Sequence, residues 1–227
     1  MTQLLLDIVP GWNPTLDNFV AGRNLELLSA LRNALAGSEG ERCFYLWGET
    51  GSGKSHLLQA CVHAALDTRR GAIYAQGSVP QPADVVAVDD VECLDDGLQI
   101  ELFNLYNRMR DNGGLMLVSG KESALHLQVR DDLRTRLGWG LVYQVHGLSD
   151  EEKAQALAQH AHARGFVLPP EVTRYLLRHG RRDLPSLMAA LDALDEYSLR
   201  MQRTPSVPML KEVLHNELEM SSDGLPG

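Results

Sequence analysis

Gly48-Glu49-Thr50-Gly51-Ser52-Gly53-Lys54-Ser55 decides the fold. It satisfies G-x-x-x-x-G-K-[ST] between the apolar run Cys43-Phe44-Tyr45-Leu46-Trp47 and an Ala/Leu-rich segment of helical period that reaches Leu66. In that setting glycines let successive backbone N–H groups turn inward around a β-phosphate, and the helix that opens next points its positive end at the same anion. Lys54 then reaches the β- and γ-phosphates and the Ser55 hydroxyl ligates Mg²⁺. The stretch Gly48 to Ser55, with His56 on the first turn behind it, is read as the binding segment for ADP or ATP.

Outward from this loop the chain alternates short apolar runs with helical patterns. A strand is expected at Ala72 to Ala75, then a Pro-rich gap to Ala83, then Val85-Val86-Ala87-Val88, Leu115-Met116-Leu117-Val118 and Leu141 to Val145. Between the middle two, Leu98, Leu102, Leu105 and Met109 share a helix face. Fully apolar short strands joined by crossover helices imply an α/β fold with a five-stranded parallel sheet covered on both faces. Upstream, Leu25, Leu28, Leu31 and Leu35 predict one helix ending before Gly37. After residue 147 the strand signal stops. Ser149-Asp150-Glu151-Glu152 is a capping box, Pro170 suits a helix first turn, and Leu184, Leu187, Met188, Leu191 and Leu194 form a stripe, so a small all-helical lid domain is expected. The expected division is an extended arm at 1–13, the α/β domain at 14–147, the lid at 148–220 and a tail at 221–227.

A phosphate loop needs an acid for the metal's waters, and Asp89 ends the run Val85 to Val88, where ligands of open α/β sheets collect. Asp90 beside it is placed to orient a hydrolytic water. Composition sets limits on partners: 21 Lys+Arg against 30 Asp+Glu give a net charge of −9, the wrong sign for a protein that grips duplex DNA over a broad surface. Three cysteines without a C-x-x-C pair suggest neither a disulfide framework nor a zinc knuckle. Cys61 and Cys93 read as small core residues, and His160 and His162 as solvated side chains, not metal ligands. No apolar run approaches a membrane span and no signal peptide is evident, so a cytoplasmic protein with no membrane partner is expected.

Beyond these readings the sequence resembles the AAA+ nucleotide-binding module, and within it the DnaA-related family. Pro14-Thr15-Leu16-Asp17-Asn18-Phe19-Val20-Ala21-Gly22, the stretch from Gly48 to Ala60, and Arg136-Leu137-Gly138-Trp139-Gly140-Leu141 are similar to blocks of the replication initiator DnaA. Leu102 to Arg108, Val91-Glu92-Cys93 and Leu148 to Lys153 are similar to the Hda group of that family, the regulatory inactivators of DnaA. The resemblance covers about residues 12 to 219. It implies that Gln3-Leu4-Leu5-Leu6-Asp7-Ile8 docks on the DNA polymerase sliding clamp (the beta subunit), with Gln3 at the mouth of the groove and Leu4, Leu6 and Ile8 in apolar pockets. The ending of that peptide departs from the usual Leu-Pro-Leu or Leu-Phe. Arg136 matches the arginine finger that acts in trans on ATP held by a neighbouring subunit; charge spacing alone would pair it with Asp131 or Asp132. Arg182 matches the sensor-two arginine and Ser119 stands at sensor one. The initiator carries an acid where this chain has Gly120, which weakens the expectation of efficient self-hydrolysis.

The expected function is therefore negative regulation of chromosomal replication initiation. Holding ADP or ATP with Mg²⁺ and tethered to the clamp, the chain would stimulate hydrolysis of DnaA-bound ATP through Arg136, meeting DNA mainly through the clamp. Its own ATPase would be weak at most. Two alternatives stay open: an autonomous ATPase that self-assembles as a homo-oligomer, and an adaptor or loader for another replication AAA+ protein or a helicase.

Overall fold

The computed structural model describes residues 13–181 and 183–222, and side chains through residue 214. The arm residues Gln3, Leu4, Leu6 and Ile8, and Arg182, lie outside the described residues. The chain divides into two compact units, one spanning Asn13–Gly147 and the other containing Leu148 onward.

The first unit runs α1 (Leu25–Leu35), β1 (Cys43–Trp47), α2 (Lys54–Asp67), β2 (Ala72–Gln76), β3 (Val85–Asp89), α3 (Asp96–Asp111), β4 (Leu115–Gly120), α4 (Asp131–Trp139) and β5 (Leu141–Gln144). The five strands form one sheet in the order β2-β3-β4-β1-β5, every pair parallel. Successive side chains of a strand point to opposite faces, and both faces are covered. Phe44, Leu46, Val85, Ala87, Leu115 and Leu117 pack with Leu28, Leu31, Leu57, Leu58 and Cys61 of α1 and α2. The alternate set Cys43, Tyr45, Val86, Val88, Met116 and Val118 packs with Leu102, Leu105, Tyr106 and Met109 of α3 and with Leu133 and Leu137 of α4. The α/β expectation therefore holds, sandwich and all.

Local details differ from the sequence reading. The buried face of α1 is Leu27, Leu28, Leu31 and Ala34, while Leu25, the first helical residue, is 68% exposed. Cys93 is exposed and not a core residue. It ends a single 3-10 turn, Val91–Cys93, in which residues three apart share a face, so Val91 and Leu94 bury and Cys93 turns outward. Cys61 is buried, and burial pushes its thiol up to about 12, leaving it inert.

The second unit holds α5 (Asp150–Ala163), α6 (Pro170–His179), α7 (Leu184–Met201) and α8 (Val207–Ser222). The Ser149–Glu152 capping box opens α5 and Pro170 occupies the first turn of α6. Leu187, Met188, Leu191 and Leu194 of α7 are buried along with Leu157, Val172, Leu176 and Leu210. His160 is not simply solvated: its Nε2 lies 2.6 Å from Asp192 Oδ1. Arg164 reaches the same Asp192 at 3.3 Å and donates to Asp195, only 6% exposed, at 2.9 Å. One helical turn separates His160 from Arg164, which brings both over the acids of α7.

Leu102 touches the sheet face at full burial. Leu102→Ala is expected to cost about 2–5 kcal/mol of stability, read as a lowered urea midpoint.

Candidate functional site

The loop that follows β1 is shaped by three glycines in the left-handed half of backbone space: Gly48, Gly51 and Gly53, with φ of +153°, +80° and +102°. A Cβ on Gly48 would collide with the carbonyl oxygen of Val145, and one on Gly53 would fall 2.7 Å from Phe19 Cε2. No other residue type fits at either place without displacing these neighbours. Behind the loop the leading segment is fastened to α2. His56 Nε2 lies 3.0 Å from the Thr15 carbonyl and His63 Nδ1 2.9 Å from the Pro14 carbonyl. Both partners are pure acceptors, so each ring nitrogen carries the proton. Burial pushes the His56 pKa below its ordinary value, so this donor is a neutral imidazole. His56 also meets the Phe19 ring at 5.5 Å between centroids, so its side chain serves the leading segment.

Lys54 is buried and donates from Nζ to the carbonyls of Gly48 at 2.7 Å and Glu49 at 2.9 Å. Burial pushes its pKa down, opposed by the carboxylates of Asp90, Asp89 and Glu92. Its hydrogen-bond partners are neutral carbonyls of the loop, and among the described residues no carboxylate lies within ion-pair distance of it, the acids acting from farther away. Ser52 Oγ is buried with no partner, while Glu49, Thr50, Gly51 and Ser55 are exposed. A cradle with its cation held in place, an orphaned hydroxyl and open glycine backbone fits a phosphate chain.

Two acids stand beside it at the end of β3. Asp89 is fully buried and accepts from the Tyr74 hydroxyl at 2.7 Å, from the Ser119 hydroxyl, and from the Asp90 amide at 3.2 Å. A carboxylate offers about four lone-pair sites, so little is left for a direct metal bond and a water-mediated one fits better. Among the described residues, no group of three or more His, Cys, Asp or Glu is placed to hold a metal ion alone. Mg²⁺ would rest on Ser55, Asp89 through water, and phosphate oxygens. Asp90 adopts a left-handed backbone, φ 52° and ψ 58°, and its carboxylate accepts from Gln76 Nε2 at 2.8 Å. Ser119 is occupied twice, since it also accepts from the Asp90 amide at 3.0 Å.

Sequence reasoning did not single out Tyr74 and Gln76. The signal was the register of β2 on β3, which sets Gln76 opposite Asp89. Nor did it foresee why residue 120 is glycine. A Cβ there would collide with the hydroxyl of Tyr45, which donates to the Glu122 carbonyl at 2.6 Å, so an acid at this position would have to displace that hydroxyl. Glu92 leans toward the same place, 3.3 Å from where that Cβ would be, with both carboxylate oxygens buried and 3.9 Å between Oε1 and Lys121 Nζ.

Arg136 lies on α4. The acids of that helix are taken by other arginines: Asp131 by Arg134 at 2.6 Å, Asp132 by Arg130 at 3.1 Å. The pairing with Asp131 or Asp132 that charge spacing suggests does not form. Instead the Arg136 guanidinium sits 4.2 Å from the centroid of the Trp139 ring and 5.5 Å from that of Phe103 on α3. Among the described residues it has no carboxylate partner.

The family model for the lid domain of Hda matches residues 150–214. An uncharacterized protein of Haemophilus influenzae is 37% identical over 228 residues, covering 94% of this chain and 98% of its own length. Among solved structures, domain III of the replication initiation protein DnaA from Thermotoga maritima superposes with a TM-score of 0.73 at 20% identity, over 91% of this chain and 97% of that one. DnaA from Aquifex aeolicus, bound to AMPPCP, gives 0.67 at 22% identity over 81% of this chain. The present chain spans 65% of the length of that protein. The two structural likenesses establish an AAA+ fold.

The buried ammonium yields a test. A lysine whose folded pKa lies below its ordinary 10.5 binds its proton more tightly when unfolded, so the penalty is full at neutral pH and fades as pH rises toward 10.5. The stability of the native chain relative to Lys54→Met is expected to improve over that range in paired urea titrations. Inorganic pyrophosphate is expected to raise the midpoint of the native chain and not that of the variant.

Proposed function

The chain belongs to the Hda family of DnaA-related AAA+ proteins, and on that premise we propose that it is a negative regulator of replication initiation that drives hydrolysis of the ATP held by DnaA. The observation that carries this reading is the state of Arg136: a half-buried cation on α4, held by aromatic faces, with the neighbouring acids committed elsewhere. A group with its charge intact suits work on another protein's γ-phosphate, where it stabilises charge that develops in the transition state.

The chain's own nucleotide, ADP or ATP, would lie along Gly48 to Ser55, with Lys54 on its phosphates and Arg182 reaching it as sensor two. Mg²⁺, when bound, neutralises charge on the β- and γ-phosphate oxygens. Ser55 and Asp89 would hold that ion. The surrounding geometry favours retention over turnover. Ser119 is spent on the acids, Asp90 is restrained by Gln76, and position 120 has no side chain. Asp90, the natural water-orienting acid, thus starts from a restrained position, in keeping with weak self-hydrolysis.

Gln3, Leu4, Leu6 and Ile8 would supply the tether to the sliding clamp, raising the effective concentration of Arg136 near DnaA on DNA. DNA is then met mainly through the clamp. Among the described residues no helix is long and apolar enough to cross a membrane. A cytoplasmic, replisome-associated place of action follows from these partners.

The test is hydrolysis of ATP prebound to DnaA, with clamp-loaded DNA present. Arg136→Ala is expected to remove the stimulation, a fall of about 10³-fold or more where an arginine finger is lost. A chain lacking residues 1–9 should lose it at limiting concentration and regain part when added in excess. Unchanged DnaA nucleotide, together with ATP consumption by the chain alone that rises with its own concentration, would replace this reading with a self-assembling ATPase.

A further inference from the structure

We propose that Trp139 is the positioning residue for the Arg136 guanidinium, an inference that rests on reading Arg136 as the group delivered to DnaA. Trp139 is 57% exposed, so core packing does not explain so large an apolar ring at the end of α4. Its ring carries the Arg136 guanidinium at 4.2 Å and faces that of Arg110, from α3, at 5.9 Å. Phe103 supports Arg136 at 5.5 Å. The spacing from 136 to 139 is one that brings side chains together on a helix surface.

The choice of an aromatic holder has a chemical reason. An unrestrained arginine on a surface samples many rotamers, and ordering it in the transition state opposes catalysis. A carboxylate would restrain it but would cancel its charge and occupy its donors, and that pair would have to be broken before a phosphate could be met. An indole face restrains the guanidinium through its quadrupole and leaves the N–H donors on its rim unoccupied. α4 contains two acids within reach of such a role, and both are committed to Arg130 and Arg134. Arg110, 5.9 Å from the centroid of the same indole, adds a second positive charge beside it.

The experiment compares native chain, Arg136→Ala, Trp139→Ala and Trp139→Phe in DnaA-ATP hydrolysis with clamp-loaded DNA, each titrated to saturation. Misplacing a catalytic group by about 1 Å costs on the order of 10²-fold. Trp139→Ala is therefore expected to lower the saturating rate about 10- to 100-fold while moving the half-saturating concentration by less than about threefold, and Trp139→Phe to recover most of the rate. In NMR spectra, the Arg136 side-chain protons should be displaced by the ring current of Trp139 and return to ordinary positions in Trp139→Ala. A full saturating rate for Trp139→Ala, with Arg136→Ala inactive, overturns the inference and leaves the function standing. A raised half-saturation at unchanged rate makes Trp139 a docking contact and overturns it as well. Full stimulation by Arg136→Ala overturns both. Trp139→Phe retains a ring and so decides the matter if the alanine variant fails to fold; equal losses in Phe and native-like Ala chains would also sink the proposal.

Discussion

Strands β1, β3 and β4 are buried on both faces, so the sheet has nowhere to display polar chemistry except at the carboxyl ends of its strands. Everything around the phosphate loop follows from that restriction. Gly48 leaves β1, Asp89 closes β3, and Ser119 and Gly120 close β4, all at one edge. Fully buried Asp89 is tolerated there because two hydroxyls and an amide satisfy it. Tyr45 shows the same restriction acting on sequence: its ring fills the core beneath α3 and α4, its buried hydroxyl reaches the Glu122 carbonyl just past the end of β4, and it occupies the space a side chain at residue 120 would need.

Lys54 is the costly element of this edge. A buried ammonium whose partners are carbonyls of its own loop gives up hydration for a place prepared to receive anions. The loop is braced from behind by Phe19, His56 and His63, which fasten the leading segment to α2. Rigidity there matters because phosphate recognition by backbone N–H groups depends on fixed geometry more than on side-chain reach.

The two kinds of charge in the first unit are organised oppositely. Around the loop, acids and hydroxyls are tied to one another in a closed set: Asp89, Asp90, Ser119, Tyr74 and Gln76. On α4, the ion pairs Arg130–Asp132 and Arg134–Asp131 consume the acids and leave Arg136 to aromatic faces. A restrained set of acids suits holding a nucleotide, whereas a cation with its charge intact suits acting outward. That contrast is what the proposed regulation of another protein's hydrolysis rests on.

Much of this protein is determined by sequence alone, because its signals are short-range. The phosphate loop, the apolar runs of β1, β3 and β4, the Ser149–Glu152 capping box and the stripe of α7 depend on residues within a turn or two of one another. The Asp89-Asp90 pair was legible for the same reason: it directly follows an apolar strand. The order β2-β3-β4-β1-β5 was decided only by tertiary structure, and with it the placing of Tyr74 and Gln76 beside the acids. So were the outward turn of Cys93, the pairing of His160 with Asp192, and the seating of Arg136 on Trp139 and Phe103 instead of on Asp131 or Asp132. These contacts join elements that are distant in sequence, or depend on which of several equally spaced partners a neighbouring element leaves available. Local periodicity carries no record of that choice, because it is made when the faces pack.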